Sequence, residues 1–162
     1  MATLDDYIAK FRRLRTDRDR KRWSSLTAYQ APHKPFVLLS VMDLMAEAVI
    51  AENFIEPSLE LLETFNRYWA RVVPVGSKTT MAYPFPRLKT DGFWHLIPRP
   101  GFENRINTIE FSSMSRLREV CSGAKVDQEL FSFLLDPDSR SRLRAVLVTT
   151  YFSPEIQPLL FK

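Results

Sequence analysis

The stretch from Ala82 to Trp94 reads Ala-Tyr-Pro-Phe-Pro-Arg-Leu-Lys-Thr-Asp-Gly-Phe-Trp. The rings of Tyr83, Phe85, Phe93 and Trp94 surround Pro84 and Pro86, and Arg87 and Lys89 stand among them. Aromatic and pyrrolidine faces beside cations suit a ligand that is part apolar and part anionic. The same residues also suit a hairpin whose aromatics simply feed a core. Composition alone leaves both readings open.

Two further groups could bind an anion. Ala31-Pro-His-Lys-Pro35 opens an apolar run, and proline suits a first helical turn because its missing N–H is not needed there. His33 and Lys34 then stand at a helix N-terminus, where free N–H groups and the dipole favour negative charge. A lone histidine is as readily a satisfied structural residue; the adjacent Lys34 and the place at the helix mouth favour binding. The other group is the run Arg12, Arg13, Arg15, Arg18, Arg20, Lys21 and Arg22, diluted by Asp17 and Asp19. It is either a solvated face or an arm that grips phosphates without sequence choice.

Other chemistry is missing from the sequence. With four glycines there is no Gly-rich phosphate loop and no dinucleotide fingerprint. There is no nucleophile elbow, no Asp…Glu-x-Lys core and no His-Asn-His motif. Two histidines, His33 and His95, and one cysteine, Cys121, do not make a metal set. The expectation is a binding module without catalytic residues, metal or cofactor. The single cysteine leaves no disulfide framework and points to the cytoplasm. Met1 to Arg15 is charged and unlike a signal peptide, and the longest apolar run, Phe36 to Met45, is interrupted by Ser40 and Asp43.

The formal net charge is +4, unevenly spread. Residues 1–22 hold eight bases against four acids, residues 35–66 six acids and no base, and residues 67–105 seven bases against two acids. The aromatic stretch thus lies in a segment of net +5 (seven minus two), as expected of a protein with one face for a polyanion.

The length and the 45% hydrophobic content predict one packed domain spanning 1–162, with 1–22 as a basic N-terminal helix and arm. Thr3 caps a first helix with Asp5 and Asp6 in its first turn and Leu4, Tyr7, Ile8, Phe11 and Leu14 on one face. Trp23 to Ala31 reads as a loop. The helix after Pro35 is apolar on nearly all sides, so it is the buried central one. Asn53 to Pro57 connects it to a third helix, capped by Ser58, with Leu59, Leu62, Phe65 and Trp69 on one face and an end at Pro74. A polar loop, Val75 to Thr80, contains Lys78. Arg87-Leu-Lys and Phe93-Trp-His-Leu flank Thr90-Asp-Gly92, which predicts a β-hairpin. Ile106 to Phe111 reads as a further short strand. Helices follow over about Ser113 to Cys121, stopping at Gly123, about Asp127 to Leu135, and from Ser139 to about Phe152. The fold class is α+β: a mainly helical single domain with a small hairpin or sheet beside the central helix.

The ordered set Ala31-Pro-His-Lys-Pro, Tyr68-Trp69, Tyr83-Pro-Phe with Leu88, and Asp91-Gly-Phe-Trp resembles the sulfur-binding domain of phosphorothioate-dependent, modification-directed restriction endonucleases. The resemblance covers roughly residues 30–152. It implies a double-stranded DNA partner in which sulfur replaces a non-bridging phosphate oxygen. The sulfur would sit in an apolar cavity on Tyr83-Pro84-Phe85-Pro86-Arg87, with Tyr83, Pro84, Phe85 and Arg87 around it. His33 and Lys34 would face the DNA, joined by Gln30, Lys78, Arg20, Arg22 and Arg87, and Arg105 is the candidate to hold the modified phosphate. Two residues depart from the pattern: Arg87 stands where a smaller residue is expected, and Lys34 replaces an arginine. Lysine lacks the two-pronged fork that matches guanine. Members of that family usually carry a His-Asn-His nuclease domain further along, and this sequence ends before one. It is then a stand-alone reader or an excised recognition domain; the alternatives are a degenerate nuclease or a protein-interaction module using the Tyr83–Trp94 surface.

Overall fold

The computed structural model describes residues 1–74 and 79–161. Thr3 begins α1 (Leu4–Arg12) with a capping box: its hydroxyl accepts from the Asp6 N–H, and its own N–H donates to the Asp6 carboxylate. The buried side of α1 is Tyr7, Ile8 and Phe11. Just past its end, the Tyr151 hydroxyl accepts from the Leu14 N–H and donates to the Phe11 carbonyl, which fastens the helix end to α7 (Pro137–Tyr151).

The chain then runs as an arm through a short 3-10 turn, Ser25–Thr27, into α2 (His33–Ala46). From Lys34 to Met45 only Asp43 in α2 is not buried. It is the central helix, packed by α3 (Leu59–Val72), α4 (Pro84–Arg87), α6 (Gln128–Leu135) and α7. Ser58 caps α3 by accepting from Leu61 N–H. The buried stripe of α3 is Leu61, Phe65, Tyr68, Trp69 and Val72, a continuous i, i+4, i+7, i+8, i+11 pattern. The expected face was rotated from this one: Leu59 is 59% exposed. At the far end of α2, Asp43 accepts from Tyr68 and Arg144, and Arg144 also donates to the Leu160 carbonyl (3.1 Å). One network therefore ties α2, α3, α7 and the tail.

The sheet is where the sequence reading needs correction. There is no hairpin at Thr90-Asp-Gly92. Pro84–Arg87 is a helical turn, Leu88–Asp91 continues as 3-10, and Gly92 ends it at φ 88°. Both prolines have the fixed φ that a helical turn uses, and Phe85 N–H still reaches the Met81 carbonyl (3.1 Å). The left-handed glycine that would make a hairpin turn serves instead as a helix stop. The strand that follows, β1 (Trp94–Pro98), pairs antiparallel with β2 (Cys121–Val126), Trp94 opposite Val126 and Ile97 opposite Gly123. The sequence reading ended a helix in that second segment; α5 (Met114–Val120) stops at Cys121. Ile106 to Phe111 is turn and irregular chain with no strand, though Ile106 and Phe111 are buried. Ile55 adds a bridge to Ala124 on the other edge of β2. A Cβ at Gly123 would stand 2.7 Å from the Ile55 carbonyl, so only glycine lets that segment in.

Candidate nucleic-acid interface

The turn Tyr83–Arg87 sorts its residues by helical periodicity. Tyr83, Pro84 and Arg87 fall on one side, facing a cleft, and Phe85 and Leu88 fall on the other, fully buried. Phe85 therefore does not wall the cleft, as expected from the sequence; it meets Trp94 edge-on at 5.2 Å, in the core. Alternate residues of a helix point to opposite sides, so Tyr83 and Phe85 cannot line one small pocket together.

The cleft measures about 200 Å³ and is lined by Arg15, Thr16, Asp17, Ala31, His33, Lys34, Tyr83, Pro84, Arg87 and Thr90. Three separate segments meet there: the arm, the α2 N-terminus and the α4 turn. Tyr83 is 46% exposed, and the Arg87 guanidinium lies 3.6 Å from its ring centroid while donating to its carbonyl (3.1 Å). The stacked pair forms one rim. Pro84 contributes a ring and no N–H donor. Among the described residues neither Arg15 nor Arg87 is ion-paired, so both rims carry an uncompensated cation.

His33 packs among rings, at 4.8 Å from Trp69, 5.5 Å from Trp23 and 5.6 Å from Tyr83. Burial lowers its pKa to about 4, with the Arg22 and Arg87 cations adding to the effect and Asp17 opposing it. The imidazole is neutral at pH 7. It can offer one N–H to a phosphate but no charge. Its Nδ1 is buried with no hydrogen-bond partner among the described residues.

Lys34, expected on the DNA side, has its ammonium turned inward. Its side chain is 8% exposed and Nζ meets Asp91 Oδ2 at 2.6 Å, with the Asp91 side chain only 2% exposed. Nζ also approaches the Thr90 hydroxyl (3.3 Å). The other Asp91 oxygen accepts from the Arg15 N–H (2.8 Å). Burial pulls the Lys34 pKa below the usual lysine range, and the Asp91 hydrogen bond opposes this. Asp91 is thus the joint between the arm, α2 and the turn.

The arm is folded onto the cleft by acids. Asp17 accepts from Trp23 Nε1 (3.1 Å), Arg22 Nη1 (3.0 Å) and Asp19 N–H (3.1 Å), and its carbonyl accepts from Ala31 N–H (2.7 Å). The Trp23 hydrogen bond, first, and then that of Asp19 hold its carboxyl below the usual range. Arg22 is therefore partly cancelled where it stands. Gln30 accepts from the Thr16 hydroxyl (2.6 Å), which joins the two ends of the arm. Arg20 lies over the Tyr29 ring at 4.3 Å. A second hollow, sharing Asp17, Ala31, His33 and Tyr83 with the first, is lined by Arg22, Trp23, Thr79 and Thr80.

Of the sequence-predicted residues, His33, Lys34, Tyr83, Pro84 and Arg87 meet at the cleft. Arg20, Arg22 and Gln30 stand on the arm beside it. Arg105 does not line it; Arg105 is exposed, 5.4 Å from the Phe102 ring, on a loop tied to the turn by Lys89 and Asn107 (3.0 Å). Lys78 lies outside the described residues. Sequence reasoning missed Arg15, Thr16, Asp17 and Thr90 as parts of the cleft, and Asp91 as the acid that holds Lys34 behind it. The one local signal was Asp17-Arg-Asp19 before Trp23, an acid pair that can turn a basic run back on itself. Among the described residues no group of three His, Cys, Asp or Glu side chains converges as metal ligands would, and no helix is long and apolar enough to cross a membrane.

The family model of the ScoMcrA-like DNA sulfur-binding domain matches residues 4–162. No curated protein matches the chain. With nearly its whole length matched, the chain belongs to this family of DNA sulfur-binding domains.

Proposed function

We propose that this domain recognises phosphorothioate DNA by seating the sulfur in the cleft between Tyr83, Pro84 and His33, with Arg15 and Arg87 on the phosphate's charged side. The observation that carries the reading is the make-up of that cleft: the apolar faces of Tyr83, Pro84 and Ala31 beside Arg15 and Arg87, neither of which is ion-paired among the described residues. Sulfur is larger and softer than oxygen and accepts hydrogen bonds weakly. A proline ring loses little by enclosing it. A phosphate oxygen in the same place would be stripped of water without replacement, at a cost of about 1–3 kcal/mol. Burying the sulfur adds about 0.5–1 kcal/mol at roughly 25 cal/mol per Å². Discrimination between about tenfold and a thousandfold follows from these terms, at tenfold per ~1.4 kcal/mol.

The remaining residues divide by what they can reach. Arg20 and Arg22 on the arm and Arg105 on the neighbouring loop hold unmodified phosphates, and Lys78, outside the described residues, is given the same role by its charge alone. Gln30 orders the arm. Phe85 supports Pro84 from the core, and Lys34 supports the cleft through Asp91. The domain serves a restriction system as its reader, with any cleavage supplied by a His-Asn-His type nuclease domain outside the matched region.

The test is a titration of one duplex, plain or with a single phosphorothioate of either stereochemistry, against wild type and Pro84→Ala. The modified duplex of one stereochemistry should bind at least about tenfold tighter, a ~1.4 kcal/mol difference. Pro84→Ala, checked for folding by circular dichroism because Pro84 is buried, should lose most of that ratio and keep weak general binding. Alanine shrinks the wall and restores an N–H that oxygen can use. Equal affinities in the wild type would overturn the sulfur reading; an unchanged ratio in folded Pro84→Ala would move the sulfur elsewhere.

A further inference from the structure

Beside the cleft runs a wider groove of about 530 Å³ between α1 and the Thr90–Asp91 turn. Its lining is Ala2, Asp6, Ala9, Lys10, Arg13, Arg15, Thr90 and Asp91. Arg15 and Thr90 also line the cleft, so the two hollows adjoin along those residues. Small side chains, Ala2 and Ala9, leave room along it. Three cations face it, and both of its acids are engaged within the protein. Asp6 is held by the Thr3 N–H (2.8 Å) in the capping box, and Asp91 by Lys34 and the Arg15 N–H. Among the described residues neither Lys10 nor Arg13 is ion-paired, and Arg13 is exposed. Lys10 stands near the Tyr7 ring (5.6 Å) and 3.8 Å from where a Cβ on Gly92 would be, which places its ammonium over the turn.

We infer that this groove is a phosphate track: Lys10 and Arg13 take phosphates of the same DNA strand that flank the one seated in the cleft. The inference rests on the proposed placing of the modified phosphate, because Arg15, shared by the two hollows, is what gives the strand its path. A strand leaving the cleft past Arg15 meets three cations, one acid paired with Lys34 and one acid engaged by the Thr3 backbone. Phosphate contacts of this kind position a duplex and carry no information about sulfur.

The test uses the whole chain, Lys10→Ala/Arg13→Ala, and duplexes carrying one phosphorothioate plus one uncharged methylphosphonate, moved one linkage at a time to either side. In the wild type a methylphosphonate at one or two of these linkages should weaken binding by several-fold. In the double variant the same substitution should cost less than about twofold, and the salt slope of binding should be shallower by about two, near one per phosphate contact removed. The ratio of modified to plain duplex should stay at the wild-type value. A double variant with the wild-type salt slope, or with the wild-type loss at every flanking linkage, would overturn the track. A protein with no preference for sulfur that still shows the slope change and the linkage effect would overturn the reading of the cleft and keep the groove. Arg13→Glu alone, at an exposed position, carries the same test should the double variant unfold.

Discussion

The Lys34–Asp91 pair decides whether Lys34 is part of the DNA surface or part of the frame behind it. Lys34→Met keeps the length of the stem and removes the ammonium. The Asp91 side chain, 2% exposed, would then be left with the Arg15 N–H and its contacts across the turn. Breaking a buried ion pair from one side costs about 3–5 kcal/mol. The surviving hydrogen bond from Arg15 places this case at the lower end, about 3 kcal/mol. At about 2–4 °C per kcal/mol for a domain of this size, the melting temperature should fall by roughly 6–12 °C. Lys34→Met/Asp91→Asn removes both charges, and the asparagine oxygen can still accept from Arg15. It should lose only about 1 kcal/mol, roughly 2 kcal/mol less than Lys34→Met alone, because no charge is then left buried without its partner. Urea and thermal unfolding followed by circular dichroism give both numbers. DNA binding by the folded single variant should keep the wild-type salt slope, since the Lys34 ammonium is taken up by Asp91. Lys34→Met within about 0.5 kcal/mol of wild type, as for a surface change, with a slope shallower by about one, would refute the assignment and return Lys34 to the DNA.

Two further expectations concern charge. Arg20→Ala/Lys21→Ala/Arg22→Ala should weaken modified and plain duplex alike and reduce the salt slope by about two rather than three, because Arg22 already pairs with Asp17; loss of binding to modified DNA alone would show that the arm reads the sulfur. His33 sets a pH dependence of stability. Its folded pKa, about 4, lies below the ordinary value of 6.5, so the unfolded chain takes up the proton first as pH falls. The stability contributed by the neutral ring is complete above about pH 6.5 and is lost between there and about pH 4, reaching at most about 2 kcal/mol by pH 5. Urea midpoints at pH 7.5 and pH 5 should differ more for wild type than for His33→Phe, and an equal difference in both would refute the burial of His33.

Most helices were legible because their signals are local. Thr3 and Ser58 are caps followed by apolar periodicity, and the α2 run is apolar on every side. The sheet was not legible, for two physical reasons. Asp91-Gly92 is a turn signal that a hairpin and a helix stop share, and only the packing of Phe85 and Leu88 beneath the turn decides between them. The partner of β1 lies beyond a loop and a helix, and its strand runs through Gly123, which reads as a helix breaker until Ile55 is seen crossing it. The cleft was half legible. Tyr83, Pro84, Arg87 and His33 declare themselves by type. Asp91 does not, because an acid in a turn looks the same whether it faces water or holds a lysine 57 residues away.

That buried acid also bears on discrimination. Cations at the rim attract any phosphate, so they add affinity without preference. Preference has to come from the floor, which works only if it offers oxygen fewer donors than water does. Pro84 has no N–H, His33 is neutral, and the Lys34 ammonium, the strongest donor nearby, is occupied by Asp91. Asp91→Asn would remove the opposing charge and leave the ammonium with a weaker partner at the edge of the cleft. An ammonium hydrogen-bonds well to a phosphate oxygen and poorly to sulfur, a weak acceptor. The variant should therefore bind plain duplex more tightly, by about three- to tenfold for ~0.7–1.4 kcal/mol, and modified duplex by less. Its overall affinity should rise while its preference for sulfur falls. Paired titrations of plain and modified duplex against folded Asp91→Asn measure both changes. A variant whose preference equals the wild type's would show that Lys34, freed or not, does not reach the phosphate, and that the pair serves stability alone.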